Sequence, residues 1–242
     1  MAYRVRILGG YFTMTSDKTC AVIFDMDGVL VDSYEAHYIS WSDSCNIRGF
    51  PVTRENFTRL FGRSFRAFAD ALSPRPLTEA ELQDWYDQKE SLYREIIEKD
   101  FPEIDGAGDL IANLHAAGFK IGVASSGPRG NVDCLLKYLT NAGYISATIS
   151  ANETIHTKPH PDPFLRCAAK LGVPPTNCAI IEDSIYGLQA GRAAGMATIA
   201  LIGTSSEKEL AIYADLVVKS LRNLDATIIH NLATTPRPAL RI

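Results

Sequence analysis

The chain has 242 residues, 46% of them apolar and 21% charged, which is enough to bury a sizeable core in one large domain or two. A net charge of -4 gives no polybasic signal for nucleic acid or an anionic membrane, and no apolar run reaches the roughly 18–20 residues that span a bilayer. Five scattered cysteines (Cys20, Cys45, Cys134, Cys167 and Cys178) form no C-x-x-C pair and no histidine stands at metal spacing, which argues against zinc and a disulfide framework and for a reducing cytoplasm.

Residues 1–19 carry no functional signal. Val5 to Leu8 is too short and too interrupted for a signal-peptide core. Two readings stay open: a disordered or loosely docked extension, or a mis-called one, residues 1–13, ahead of a native start at Met14. Ala21 to Phe24 then has the length of a buried strand. It runs into Asp25-Met26-Asp27-Gly28, and in an extended chain positions two apart face the same way. For a bare D-x-D-G, a polar turn is an adequate explanation.

The next convincing strand, Phe119 to Ala124, is far beyond the length of an ordinary βα connection. Residues 34–103 are therefore expected to form a separate helical unit on two linkers, Val31–Ser33 and Phe101–Gly106. Phe57, Leu60, Phe61, Phe65, Phe68 and Leu72 recur at helical spacing, as do Leu82, Trp85, Tyr86, Leu92, Tyr93, Ile96 and Ile97. Thr78 and Glu81 read as a capping box. Lys89, four residues from both Trp85 and Tyr93, lies on or beside this stripe, where a lysine snorkelling at the edge is the ordinary explanation.

From Asp105 the rhythm is strand–helix. Strands are expected at 119–124, 146–150, 178–182, 197–202 and 215–218, and helices near 106–117, 129–141, 161–171, 184–194, 207–213 and 221–232. Such alternation implies an α/β fold with a parallel sheet covered on both faces. Residues 20–33 and 104–232 form this core, and 233–242 are expected to be a loose tail.

Polar residues collect at one end of the predicted strands: Ser125-Ser126-Gly127 after 119–124, Glu182-Asp183-Ser184 at 178–182, and Lys158 in a proline-rich loop before a helix. Each alone is an ordinary turn, loop charge or helix cap. Together with Asp25 and Asp27 they can share one crevice at the strand ends. Four carboxylates there need a cation, and all-oxygen ligands favour Mg2+. A serine and a lysine beside it receive phosphate oxygens, one aspartate can act as nucleophile, and a second can move the proton.

The ordered set Asp25-x-Asp27-Gly28, Ser125, Lys158 and Glu182-Asp183, with the phrases FDMDGVLVDS, KPHPDPF and IEDSIYGLQAGRAAGM, resembles the haloacid dehalogenase superfamily over about residues 20–220. It is most similar to the branch of β-phosphoglucomutases and phosphoglycolate phosphatases. The resemblance implies a Rossmann-like core with an inserted α-helical cap at 34–103. It implies Asp25 as the nucleophile and a metal ligand, Asp27 as general acid/base with its carbonyl on the metal, Ser125 and Lys158 on the phosphoryl group, and Glu182 and Asp183 completing an Mg2+ site. His37 and Trp41 match a cap histidine and tryptophan of that branch, and Lys89 matches a phosphate-contacting cap lysine.

His37, Arg63, Arg66, Lys89, Ser126 and Arg129 are the candidate substrate contacts. The mutases' Ser-Lys-Asn run after the phosphate-binding serine corresponds here to Gly127, Pro128 and Arg129, so serine and lysine are gone and Arg129 substitutes in part. That favours a phosphatase for a small phosphorylated metabolite, such as a sugar phosphate or phosphoglycolate-like ester, over a phosphosugar mutase. A phosphonatase using Lys89, or a non-catalytic phosphate-binding relative, fits less well. The expected partner is a small phosphate ester, with no nucleic acid and no membrane, and the expected state is a cytoplasmic monomer or weak homodimer.

Overall fold

A computed structural model of the chain describes residues 3–7, 10–14, 19–203 and 205–237. Strand β1 (Tyr3–Ile7) pairs antiparallel with β2 (Gly10–Met14), Tyr3 opposite Met14. The tail expected over 1–19 thus contains a hairpin. The remaining positions of 1–18 lie outside the described residues.

Six short apolar runs form one parallel sheet: β3 (Ala21–Phe24), β4 (Lys120–Ala124), β5 (Ala147–Ile149), β6 (Cys178–Glu182), β7 (Ala197–Leu201) and β8 (Leu216–Val218), in the order β5-β4-β3-β6-β7-β8. Because helices cover both faces, nearly every strand position is apolar. Val22 and Phe24 enter one core with Leu110, Ile111 and Leu114 of α5 (Ala107–Ala116), Val132 and Leu135 of α6 (Arg129–Tyr138) and Ile229 of α10 (Ala226–Thr234). Ala21 and Ile23 enter the other with Phe164, Cys167 and Leu171 of α7 (Asp162–Leu171) and Leu188 of α8 (Ile185–Ala193). The chain builds outward from β3 through β4 to β5, then returns to β6 on the other side of β3, so the order reverses beside β3.

Four helices separate β3 from α5: α1 (Tyr34–Ile47), α2 (Arg54–Leu60), α3 (Phe65–Leu72) and α4 (Glu79–Lys99). The Thr78/Glu81 capping box is present at the start of α4. Trp41, Phe57, Leu60, Phe68, Leu82 and Trp85 form an apolar cluster of their own. Tyr93 and Ile97, in the second half of α4, belong instead to the sheet core. This helix, about 30 Å long, therefore runs from the inserted bundle into the core.

Three helix expectations need correction. The helix expected over 129–141 ends at Tyr138. The stretch 221–232 splits into a 3-10 turn over Leu221–Asn223 and α10, because Ser220 caps the first and Asp225 accepts from Ile228 N at 2.8 Å to start the second. The stretch 207–213 is helical only over Glu207–Leu210, α9. Helix α10 also runs two residues past Leu232, and Arg237 donates to the Leu232 carbonyl and to Asp215 Oδ2 at 3.4 Å, so residues 235–237 are docked. Among the described residues no helix is long and apolar enough to cross a membrane.

Edge strand β5 is pinned by Glu153 at its end. Its carboxylate accepts from Ser150 N and Oγ, each at 3.0 Å, from Lys170 Nζ at 2.7 Å and from Arg129. Burial pushes the carboxyl up, but the bonds from Lys170, Arg129 and Ser150 outweigh it and hold it at about 2. A depressed carboxyl contributes stability above its unfolded value and loses it as the pH falls toward the folded one. The difference in urea midpoint between wild type and Glu153→Gln is therefore expected to be full at neutral pH and to vanish as the pH drops from the ordinary glutamate range toward 2. A difference that stays constant on acidification would contradict this.

Candidate active site

Phe24 at the end of β3 pairs with Val123 of β4 and Ile181 of β6, so the next residues, Asp25, Ala124 and Glu182, stand side by side at the end of the sheet. The Asp25 N–H donates to Ile181 O at 2.9 Å, carrying the ladder one residue further. From the loop before α7, Lys158 Nζ donates to Asp25 Oδ1, to Glu182 Oε1 at 2.6 Å and to the Ala124 carbonyl at 3.0 Å. All three ammonium protons are thus engaged.

Burial opposes the charge on Lys158, but Asp25 and Glu182 outweigh it and raise the ammonium above its usual range. Burial pushes the Asp25 carboxyl well above the carboxylate range. Lys158 opposes that, while Glu182, Asp183 and Asp27 add to it. Glu182 Oε2 accepts from Ser184 N at 3.0 Å and Ser184 Oγ at 2.8 Å.

One oxygen each of Asp25, Glu182 and Asp183 lie within 4.8 Å of one another, and all three residues are buried. A buried, all-carboxylate donor set of this kind suits a hard divalent cation such as Mg2+. Two glycines make room for it. Gly28 has φ +78°, and a Cβ there would overlap the Asp183 carboxylate. At Gly187 in α8, a Cβ would overlap the Glu182 carboxylate.

Asp27 stands apart from this cluster, in the turn that follows β3, and faces the helical insert. Its Oδ1 accepts from Tyr93 OH at 3.0 Å and lies 3.3 Å from His37 Nε2. Lys89 Nζ is 3.0 Å from His37 Nδ1. An ammonium only donates, so Nδ1 is the acceptor and Nε2 carries the proton toward Asp27. Burial and then Lys89 lower the His37 pKa, in keeping with a neutral ring. For Asp27, burial is opposed and outweighed by His37, Ser33 and Tyr93, which bring its carboxyl down to about 2.

Ser125 is buried at the end of β4, its Oγ accepting from Gly127 N at 2.9 Å, and Ser126 beside it is exposed. Arg129 and Arg66 are engaged by acidic side chains, while Arg63 is exposed. The Arg129 guanidinium is engaged by Glu153, by Asp133 at 3.4 Å and by Thr148 Oγ1 at 3.0 Å, so it is held at edge strand β5 and not offered to a distal phosphate. Arg66 pairs with Glu79 across the surface of the insert. Arg63 is exposed in the turn between α2 and α3, two residues from Phe61, whose ring centre is 6.0 Å from that of His37.

Lys89 does not snorkel to solvent. It is 3% exposed and held by His37 and Glu90. His37 likewise serves Asp27. Sequence reasoning missed Tyr93, taken only as part of the apolar stripe, although a tyrosine on such a stripe carries a hydroxyl that needs a partner when buried.

Residues 22–201 match the family model described as haloacid dehalogenase-like hydrolase. The chain belongs to that family. It is 32% identical over 217 residues to a beta-phosphoglucomutase of Bacillus subtilis, covering 87% of this chain and 93% of that protein. To hexitol phosphatase B of Escherichia coli it is 29% identical, over 88% of this chain and 97% of that one. A crystal structure of a haloacid dehalogenase-family hydrolase from Entamoeba histolytica superposes with a TM-score of 0.81 at 25% identity, covering 90% of this chain and all 100% of the other.

Within this haloacid dehalogenase-like core the Glu182 carboxylate has nowhere to move, being 1% exposed and bonded at both oxygens. Gly187→Ala is therefore expected to lower kcat/KM at least about tenfold and to destabilise the fold by about 1–3 kcal/mol. Activity assays and thermal melting check this, and wild-type values in both would contradict it.

Proposed function

We propose that the chain is a Mg2+-dependent phosphatase for a small phosphorylated metabolite, a sugar phosphate or a similar phosphate ester. The observation that carries this reading is the Asp25 carboxylate, anchored at the switch point of the sheet among Lys158, Glu182 and Asp183. An Asp25 oxygen attacks phosphorus, the bond to the leaving oxygen breaks, and an aspartyl-phosphate forms. Asp25, Glu182, Asp183 and the Asp27 carbonyl would hold Mg2+, which supplies positive charge for the phosphoryl oxygens and relieves the repulsion among the carboxylates. Ser125, and Lys158 once a phosphoryl oxygen replaces one of its present acceptors, hold the transferring group.

Asp27 moves the proton. Its low pKa leaves it ionised, the form that takes a proton from water for hydrolysis of the aspartyl-phosphate. To protonate the leaving oxygen in the first step it must take up a proton, which the approach of a dianionic ester favours by like-charge repulsion. Helices α1–α4 serve as the cap that excludes water and reads the substrate, with Arg63 and Ser126 as exposed candidate contacts. The five buried cysteines, with no disulfide among the described residues, suit a cytoplasmic protein. The expected state remains a monomer or weak homodimer.

A phosphosugar mutase is the second reading, favoured by the beta-phosphoglucomutase relative. Against it, Gly127 and Pro128 carry no side-chain donor for a second phosphate, and Arg129 is tied to Glu153. The test incubates the protein with Mg2+, β-glucose 1-phosphate and a trace of the 1,6-bisphosphate, following inorganic phosphate and glucose 6-phosphate beside a phosphate-release panel of sugar phosphates and phosphoglycolate. Free phosphate without isomerisation is expected, lost on chelation and restored by Mg2+. Asp25→Asn is expected to lower turnover at least about a thousandfold. Glucose 6-phosphate without free phosphate would establish the mutase, and undiminished turnover by Asp25→Asn would overturn the mechanism.

A further inference from the structure

Glu90 is 7% exposed on α4 and touches neither Asp25 nor Asp27, yet both of its oxygens are engaged. Oε1 accepts from Lys89 Nζ at 3.0 Å and Oε2 accepts from Asn131 Nδ2 at 2.7 Å. Asn131, 3% exposed, stands on α6, the helix that follows the Ser125–Pro128 loop. Its own Oδ1 accepts from Arg94 Nη1 at 3.2 Å. Glu90 and Arg94 are four residues apart, one turn of α4, so the two ends of a single amide are gripped by neighbouring positions of one helix.

Neutralising a buried lysine accounts for the bond to Oε1 alone. The bond to Oε2 and the Arg94 contact fix that pair to the core helix. From Lys89 the chain of contacts continues to His37 Nδ1, and from His37 Nε2 to Asp27. A slip of α4 along α6 by one residue, about 1.5 Å, would part both ends of the amide and shift Lys89 and Tyr93 relative to Asp27.

We propose that Glu90 is a positioning residue for Asp27: clasped to Asn131, it holds Lys89 on His37 so that His37 presents its Nε2 proton and fixes the Asp27 carboxylate. The cap and the phosphate-binding side of the core are thereby coupled to the orientation of the proton-transfer group. This rests on the reading of Asp27 as general acid/base.

The test compares kcat/KM for two monoesters in wild type, Glu90→Gln, Asn131→Ala and the reference Asp27→Asn. One ester is a sugar phosphate, whose alkoxide must be protonated as it leaves. The other is p-nitrophenyl phosphate, whose phenolate leaves without a proton. Glu90→Gln and Asn131→Ala are each expected to lose at least about tenfold on the sugar phosphate and at most about threefold on the nitrophenyl ester, a weaker form of the Asp27→Asn pattern.

Asn131→Ala keeps Glu90 on Lys89, so it carries the test if Glu90→Gln does not fold. With Asp27→Asn separating the two esters, equal losses on both in the Glu90 and Asn131 variants, or wild-type values on both, overturn the proposal. If Asp27→Asn itself lowers both esters alike, the acid assignment has failed, and the positioning role fails with it.

Discussion

The Lys158 ammonium lets carboxylates stand together at the end of a buried sheet. Asp25 and Glu182 have side chains 11% and 1% exposed, and Lys158 bridges them with its own side chain only 6% exposed. Each of these charges taken out of water alone would cost several kcal/mol, and removing one partner of such a pair costs about 3–5 kcal/mol. The third ammonium proton goes to the Ala124 carbonyl, so the lysine is fixed by the sheet itself as well as by the acids. Parallel pairing of β3 with β4 and β6 delivers all of these groups at one level, and the reversal of strand order beside β3 opens the crevice there.

The two proposed catalytic aspartates are anchored differently. Asp25 belongs to the rigid core through Lys158. Asp27, two residues on, takes its donors from the helical insert: His37 of α1 and Tyr93 of α4. Nucleophile and proton-transfer group are therefore brought into register only when cap and core are in register. Helix α4, whose first half packs in the cap cluster and whose second half packs in the sheet core, is the element that transmits this.

The core was legible in the sequence because its signals are local. Buried parallel strands read as short apolar runs, and Asp25, Ser125 and Glu182-Asp183 fall at the ends of theirs whatever the loops do, while Lys158 stands in a proline-rich loop just before a helix. The insert was legible as helices for the same reason, including the Thr78/Glu81 cap. What escaped depends on partners distant in the chain. Nothing near Arg129 says that Glu153, 24 residues on, will take its guanidinium, and Glu90 and Asn131 are 41 residues apart. Tyr93 and Lys89 were read by helical spacing, which places a residue on a face but does not say what its polar end meets. The splitting of 221–232 did have a local signal, the caps Ser220 and Asp225, which the apolar periodicity outweighed.

The most direct test is to identify the atom that receives the phosphoryl group. Wild-type protein turning over a sugar phosphate in Mg2+ would be acid-quenched within the first turnovers, reduced with borohydride and digested. Reduction converts an aspartyl-phosphate to homoserine, so mass spectrometry of the peptide spanning Asp25 and Asp27 reads the site. Homoserine at position 25, with Asp27 intact, is the expected result. Homoserine at position 27, or a phosphoryl group carried on serine or histidine, would contradict the account.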